Sequence, residues 1–191
     1  MPANLPSEKR TSQQPVNVCL LTPPQSHQLS IAHFLDPTLY HLTVVYSLEH
    51  FTQSLSATKE KRYSIDAIDI ILLSTDLVRA EAANTVRYLQ TLIADRYVPI
   101  ILLSQIDVSL SQTDIDESSI LIDAMTAGAH DYIEISPKPS AHTAKLFSAK
   151  IASQVRIAAM QTLVQQQNTQ IMQHHKHLMV EQQLAEEVFN K

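Results

Sequence analysis

Four positions close the apolar runs of this chain. Thr22 follows Val16–Leu21, Ser74 follows Asp69-Ile70-Ile71-Leu72-Leu73, Ser104 follows Pro99-Ile100-Ile101-Leu102-Leu103, and Ile135 ends Asp131–Ile135. The carboxyl ends of buried strands are where layered α/β proteins build their sites. Three of these residues are neutral hydroxyls and the fourth is aliphatic. A hydroxyl donates and accepts hydrogen bonds, but it does not replace a carboxylate as a nucleophile or as a ligand for a hard cation. Ser74 is expected to hydrogen-bond locally at its strand end, with phosphorylation by a serine kinase as the alternative. Two charged groups lie close by in sequence. Asp76 comes two residues after Ser74 and reads as a helix-capping or loop carboxylate. Lys138, before Pro139, comes three after Ile135 and reads as an exposed loop lysine.

Other residues with chemical potential are more scattered. In His174-His175-Lys176-His177, the first and last histidines share one helical face. In a paired helix they could bind a metal ion or respond to pH near about 6, and the plainer reading is a solvated face. Asp107, Asp114, Asp116 and Glu117 have no calcium-loop spacing and read as a solvated loop. The single glycine, Gly128, excludes glycine-rich phosphate loops. No metal and no cofactor is expected. The lone cysteine, Cys19, sits in an apolar run, so no disulfide forms within the chain.

The elements that must position these residues follow from periodicity. The 191 residues are 45% hydrophobic, enough for one domain and an extension. Residues 1–15 are polar and proline-containing and read as a disordered tail. Strands are predicted at Val16–Leu21, Leu42–Tyr46, Ile68–Leu73, Pro99–Leu103 and Asp131–Ile135. Helices are predicted at Gln25–Leu35, with Leu29, Ala32, His33 and Ile31 or Leu35 inward, and at Leu48–Lys61 through Leu48, Phe51 and Leu55. Two more are predicted at Arg79–Asp95, on the stripe Ala82, Val86, Leu89 and Ile93, and at Ile120–Ala127. Gln105–Glu117 reads as a polar connection. Unbroken apolar strands alternating with helices imply a parallel sheet covered on both faces.

From about His142 onward there is neither proline nor glycine. Ile157, Val164, Ile171, Leu178 and Ala185 recur every seven residues. The second seam, Met160, Gln167, His174, Glu181 and Val188, is apolar only at its ends. This pattern reads as one long helix that leaves the domain and pairs as a loose coiled coil, with an unpaired Gln-rich tail as the alternative.

Residues 16 to about 155 resemble the receiver domain of bacterial response regulators. The likeness rests on Asp69–Ser74, Val98–Ser104 and Ala127-Gly128-Ala129-His130-Asp131-Tyr132-Ile133, where the glycine fits a left-handed turn. It implies an α/β, flavodoxin-like, doubly wound five-stranded parallel sheet, (βα)5, followed here by a long C-terminal coiled-coil helix. It also implies a division into a receiver-like domain, 16–150, and a signalling and dimerisation helix, 151–191. A receiver of this family forms an acyl phosphate on an aspartate, with Mg²⁺ held by an acidic pair and a lysine against the phosphoryl oxygens. The resemblance places Ser74 at the aspartate's position, Thr22 and Pro23 at the acidic pair, and Ile135 at the lysine. Ser104 and Tyr132 stand at the hydroxyl and aromatic positions of the switch and are retained. The charge-handling groups are therefore gone.

The expectation is a pseudo-receiver: no enzyme, independent of phosphorylation, acting by protein contact in two-component signalling. The seam Ile157, Val164, Ile171, Leu178 would form a homodimer. A regulatory protein partner and an output domain of phosphatase or diguanylate cyclase type are implied. The helix end, Glu181–Phe189, resembles the signalling helices that precede such domains and suggests the regulatory part of a longer protein. Nucleic acid is disfavoured by the net charge of -5. No apolar run is long enough for a membrane span, and a cytoplasmic location is the default. The alternatives are an atypical phosphorylatable receiver using Asp76 and Lys138, and a small-ligand binder or enzyme using the hydroxyls of Thr22-Pro23-Pro24-Gln25-Ser26.

Overall fold

Runs such as Ile70-Ile71-Leu72-Leu73 have no polar side to offer to water, so a sheet built from them must be covered on both faces. The computed structural model describes residues 15–24, 28–56, 68–79, 81–94, 96–105, 114–136 and 140–189. Five strands, β1 (Val16–Leu21), β2 (Tyr40–Val45), β3 (Ile70–Ser74), β4 (Ile100–Gln105) and β5 (Asp131–Ile135), form one sheet in the order β2-β1-β3-β4-β5. Every pair is parallel, with Leu21 beside Leu73, Leu73 beside Leu102, and Ser104 beside Glu134. The expected fold is present: a doubly wound five-stranded parallel sheet followed by a long C-terminal helix.

Alternation along the strands sends side chains to two separate cores. On one face Cys19, Leu21, Ile71, Leu73, Ile100 and Leu102 meet α2 (Leu48–Ser56), α3 (Thr75–Val78), α4 (Ala82–Leu92) and α5 (Asp114–Thr126). Phe51, Val78, Ala82, Val86, Leu89 and Ala124 are the buried apolar residues those helices contribute. On the other face Val18, Leu20, Ile70, Leu72, Ile101, Leu103, Ile133 and Ile135 meet α1 (Gln28–Phe34) and α6 (Ala141–Phe189).

Several expectations shift. The inward face of α1 is Ile31, Phe34 and the following Leu35, while Ala32 and His33 are exposed. Bulk decides it: residues 31, 34 and 35 form one helical stripe, and Phe34 meets Phe147 of α6 at 5.3 Å between ring centres. The helix predicted at Arg79–Asp95 is α4, shorter at both ends, and a separate one-turn helix, α3, precedes it; the stripe Ala82, Val86, Leu89 and the C-cap Ile93 is buried. The acidic connection is shorter than expected, because Gln105 ends β4 and Asp114–Glu117 open α5. The side chains of Leu29, Leu55, Asp114, Asp116, Glu117, Ala185 and Val188 lie outside the described set, as do residues 1–14, 25–27, 57–67, 106–113 and 137–139.

Two local devices hold the turns. Asn17 and Asp69 tie the entrances of β1 and β3 together. The Asn17 amide donates to Oδ2 of Asp69 at 2.8 Å, and the Asp69 amide donates to the Asn17 carbonyl at 3.0 Å. At the end of α5 the Ala129 amide donates to the Ala124 carbonyl and the Gly128 amide to the Met125 carbonyl, both at 3.0 Å. That pair of bonds is a Schellman cap, and Gly128 has the positive φ it requires, 109°. Gln90 of α4 donates Nε2 to the Gly128 carbonyl at 2.8 Å, and an added Cβ would meet that nitrogen at 2.1 Å.

Gly128→Ala is therefore expected to lower the unfolding free energy in urea by about 1–3 kcal/mol, through left-handed strain plus displacement of Gln90. A loss below half of that lower bound would show that the turn relaxes.

Candidate functional site

The carboxyl edge of the sheet gathers the positions that end the strands. The Thr22 amide extends the β1 ladder by donating to the Val45 carbonyl at 3.0 Å. Ser74 ends β3 beside Leu103 and leads directly into α3. Ser104 lies one residue from the end of β4, and Ile135 closes β5 beside Gln105. Alternation places Thr22 with Leu20, Ser74 with Leu72 and Ile135 with Ile133 on the α1/α6 face, and Ser104 with Leu102 on the other.

Every one of these side chains is buried and uncharged. Thr22 and Ser74 are 0% exposed and Ile135 is 1% exposed. Ile135 belongs to the core itself, in one cluster with Phe147 and Ile151. Pro23 is half-buried and has no amide proton to offer.

Ser74 departs from expectation. Among the described residues its Oγ has no hydrogen-bond partner, and although Ser74 is the N-cap residue of α3, it makes no side-chain cap bond. The reason lies in the pleat. Ser74 follows Leu72 toward the α1/α6 face, whereas α3 packs Val78 into the opposite core. A buried hydroxyl left unpaired costs about 1–3 kcal/mol.

Asp76 sits in the first turn of α3, and its carboxylate meets Arg79 at 2.8 Å. Lys138 lies outside the described residues. Among those described, no three His, Cys, Asp or Glu side chains gather closely enough to hold a metal ion. Burial pushes the Cys19 thiol up to about 12, which leaves it protonated and unreactive at neutral pH.

Tyr132 is 42% exposed and pairs in register with Leu102, whereas Ser104 pairs with Glu134. What fixes Tyr132 is Lys150 of α6. Its Nζ stands 5.4 Å from the ring centre, donates to the Tyr132 carbonyl at 2.8 Å, and meets Oδ1 of Asp131 at 3.2 Å. The Asp131 carboxylate also accepts the Tyr132 amide at 2.8 Å. Sequence reasoning missed Lys150, because nothing in its helical position announces a partner across the edge of β5.

His130 was quoted only as part of a motif, yet it joins two strands. Its Nδ1 accepts the Ile100 amide at 3.0 Å, its own amide donates to the Ile100 carbonyl at 2.8 Å, and its ring meets Tyr97 edge-on at 5.0 Å. Burial holds its pKa below the ordinary histidine value. A proton on Nδ1 would have to displace the Ile100 donor.

No protein-family model and no curated protein matches this chain. Solved structures do. The signal receiver domain of a LuxO repressor protein from Vibrio parahaemolyticus matches with a TM-score of 0.54 at 14% identity, over 79% of this chain and 98% of that one. The signal receiver domain of an HD domain-containing protein from Pseudomonas fluorescens gives 0.54 at 14% identity, over 82% and 97%. A fusion carrying the trimeric coiled coil of yeast Spc42 gives 0.55 at 12% identity, over 86% and 92%. At these identities the likeness establishes the fold, which is that of response-regulator receiver domains.

Two outcomes test the geometry. Ser74→Ala removes an unpaired hydroxyl and is expected to raise stability by about 1 kcal/mol at unchanged m-value. A loss of similar size would mean that the hydroxyl has a partner. For His130 the sign follows from its lowered folded pKa. Its contribution is complete above the unfolded value of 6.5 and is lost as pH falls through 6.5 toward the folded pKa. Urea titrations from pH 8 to 5 are expected to show this loss, and His130→Gln, a non-titrating acceptor, to show a shallower slope.

Proposed function

We propose that this chain is a pseudo-receiver: a non-catalytic, phosphorylation-independent module of two-component signalling. Its globular part, 16–150, contacts a regulatory protein. Its helix, 151–191, pairs two copies and passes their relative orientation to an output domain of phosphatase or diguanylate cyclase type. The observation that carries the first half is the strand-end site, in which Thr22, Ser74 and Ile135 are buried and neutral. Acyl phosphate chemistry needs a nucleophilic carboxylate, a carboxylate-held cation and a compensating positive charge. None of the side chains of Thr22, Ser74 and Ile135 supplies any of them, and Ser74 is closed to water. Asp76, the alternative acceptor, is occupied by Arg79 on the helix beyond.

The second half rests on α6. Phe147, Ile151 and Ala158 are buried against the domain, and beyond Ala158 the helix carries exposed Met160, Val164, Ile171 and Leu178. From Ala158 to Phe189 it extends for about 45 Å. An isolated helix with this composition gains little from propensity alone, so a partner helix is what its apolar seam calls for. A solved fusion that carries a trimeric coiled coil matches over 86% of this chain, which is in keeping with association through the long helix. No helix among the described residues is long and apolar enough to cross a membrane, which is compatible with a cytoplasmic location.

Incubation with acetyl phosphate and Mg²⁺ is expected to add no 80 Da increment by intact mass (about one phosphoryl group). Micromolar binding of beryllofluoride, or an increment that vanishes in Asp76→Ala, would return the chain to the phosphorylatable receivers. Light scattering is expected to give a dimer at tens of micromolar, and Ile171→Asp a monomer. A wild-type monomer under those conditions defeats the helix-pairing half of the reading.

A further inference from the structure

We propose that two copies of α6 form a metal site in which His174 and His177 of each helix offer four imidazoles to one borderline divalent cation of the Zn²⁺ type. The inference rests on the helix pairing proposed above. The seam that begins at Ile157 puts Ile171 and Leu178 at the apolar positions of successive heptads, and His174 falls between them on the second seam. In a parallel pair that position faces its own copy across the axis. A buried layer there must accept a polar group from each helix.

His177 lies three residues further on, so it is a neighbour of His174 on the same face. Side chains on a helix lean toward its N-terminus, which brings the His177 ring over the His174 layer. His177 also has a carboxylate beside it. Its Nε2 meets the Glu181 carboxylate at 3.4 Å, one turn on. A carboxylate on one ring nitrogen is the usual companion of a metal-bound histidine, because it fixes the tautomer and leaves the other nitrogen, here Nδ1, to coordinate.

The single chain falls short of a site. His174 and His177 are two nitrogen donors, Glu181 is engaged with His177, and no group of three ligand residues forms among the described residues. Lys176 falls on the far side of the helix, and His175, next to His174 in sequence, flanks the seam on the edge away from His177. A second copy doubles the two donors to four, the number a tetrahedral zinc site takes. Nitrogen donors select zinc-like cations over Mg²⁺ or Ca²⁺, which take oxygen. The coordinating imidazoles must be neutral.

The test uses the untagged full chain with ZnCl₂ alone as probe, followed by calorimetry and light scattering at pH 7.5. One Zn²⁺ per two chains, with the dimer dissociation constant at least tenfold tighter and restored by EDTA, is expected. His174→Ala and His177→Ala should each abolish that tightening, and His175→Ala should leave it in place. His174→Ala should still dimerise without metal, which separates loss of the site from loss of the helix. A metal-free dimer that zinc leaves unchanged, or tightening that survives His174→Ala with His177→Ala, overturns the site while the proposed function stands. A monomer with and without zinc overturns both. A monomer that dimerises only with zinc supports the site and makes the cation part of the pairing.

Discussion

The structure depends on how the second face of the sheet is covered. That face carries Val18, Leu20, Ile70, Leu72, Ile101, Leu103, Ile133 and Ile135, and among the described residues α1 and α6 are the helices packed against it. The helix α1 is short, from Gln28 to Phe34. Phe147 and Ile151 near the start of α6 join Ile31, Phe34 and Leu35 in covering it, each side chain worth about 1.5–3 kcal/mol on burial. The same helix then continues without a break to Phe189. The projecting segment is thus an extension of a core element, and any tilt it takes is taken about the packed residues of the sheet.

The strand-edge residues meet that constraint directly. Ile135 shares a cluster with Phe147 and Ile151, so a position that ends a strand is also a contact of the helix that leaves the domain. A charged side chain there would have to be desolvated among apolar neighbours, at a cost of several kcal/mol unless paired. The same holds for a carboxylate at Ser74, which is closed to water. Neutrality at Thr22, Ser74 and Ile135 is mutually consistent: each would be harder to make ionic alone than together. On the opposite edge Lys150 reaches from α6 to Asp131 and the Tyr132 carbonyl, a second link between β5 and the helix.

Much of this was legible in the residues, for identifiable reasons. Unbroken apolar runs gave all five strands and their cover, because the period of a doubly buried strand leaves few alternatives. Gly128 marked the turn before β5, since its positive φ is one that an L side chain rarely adopts. The inward face of α1 was misread at Ala32 and His33, because a short helix near a break has too few turns for its stripe to be unambiguous. Ser74 was assigned a local bond that the pleat denies it. Lys150, His130 and Gln90 act across long sequence separations, from a helix to a strand edge, between two strands and from a helix to a turn, and no local pattern announces such bonds. Those contacts are consequences of packing, not of spacing.

What remains is the balance within the projecting helix. One seam, Ile157, Val164, Ile171 and Leu178, is apolar, and the other carries Gln167, His174 and Glu181 at its centre. A helix pair held by one seam alone is weaker than one held by two, but polar layers penalise every register that sets them against apolar ones. In a parallel pair each polar residue meets its own kind and each apolar residue does likewise. In an antiparallel pair the layers mix, placing Val164 against Glu181 and Leu178 against Gln167. Desolvating a carboxylate or amide against an aliphatic group without a partner is the costlier arrangement. The sequence of the seams therefore favours the parallel pair, which is the arrangement that carries two receiver-like domains at one end and delivers both helix termini to the same place at the other.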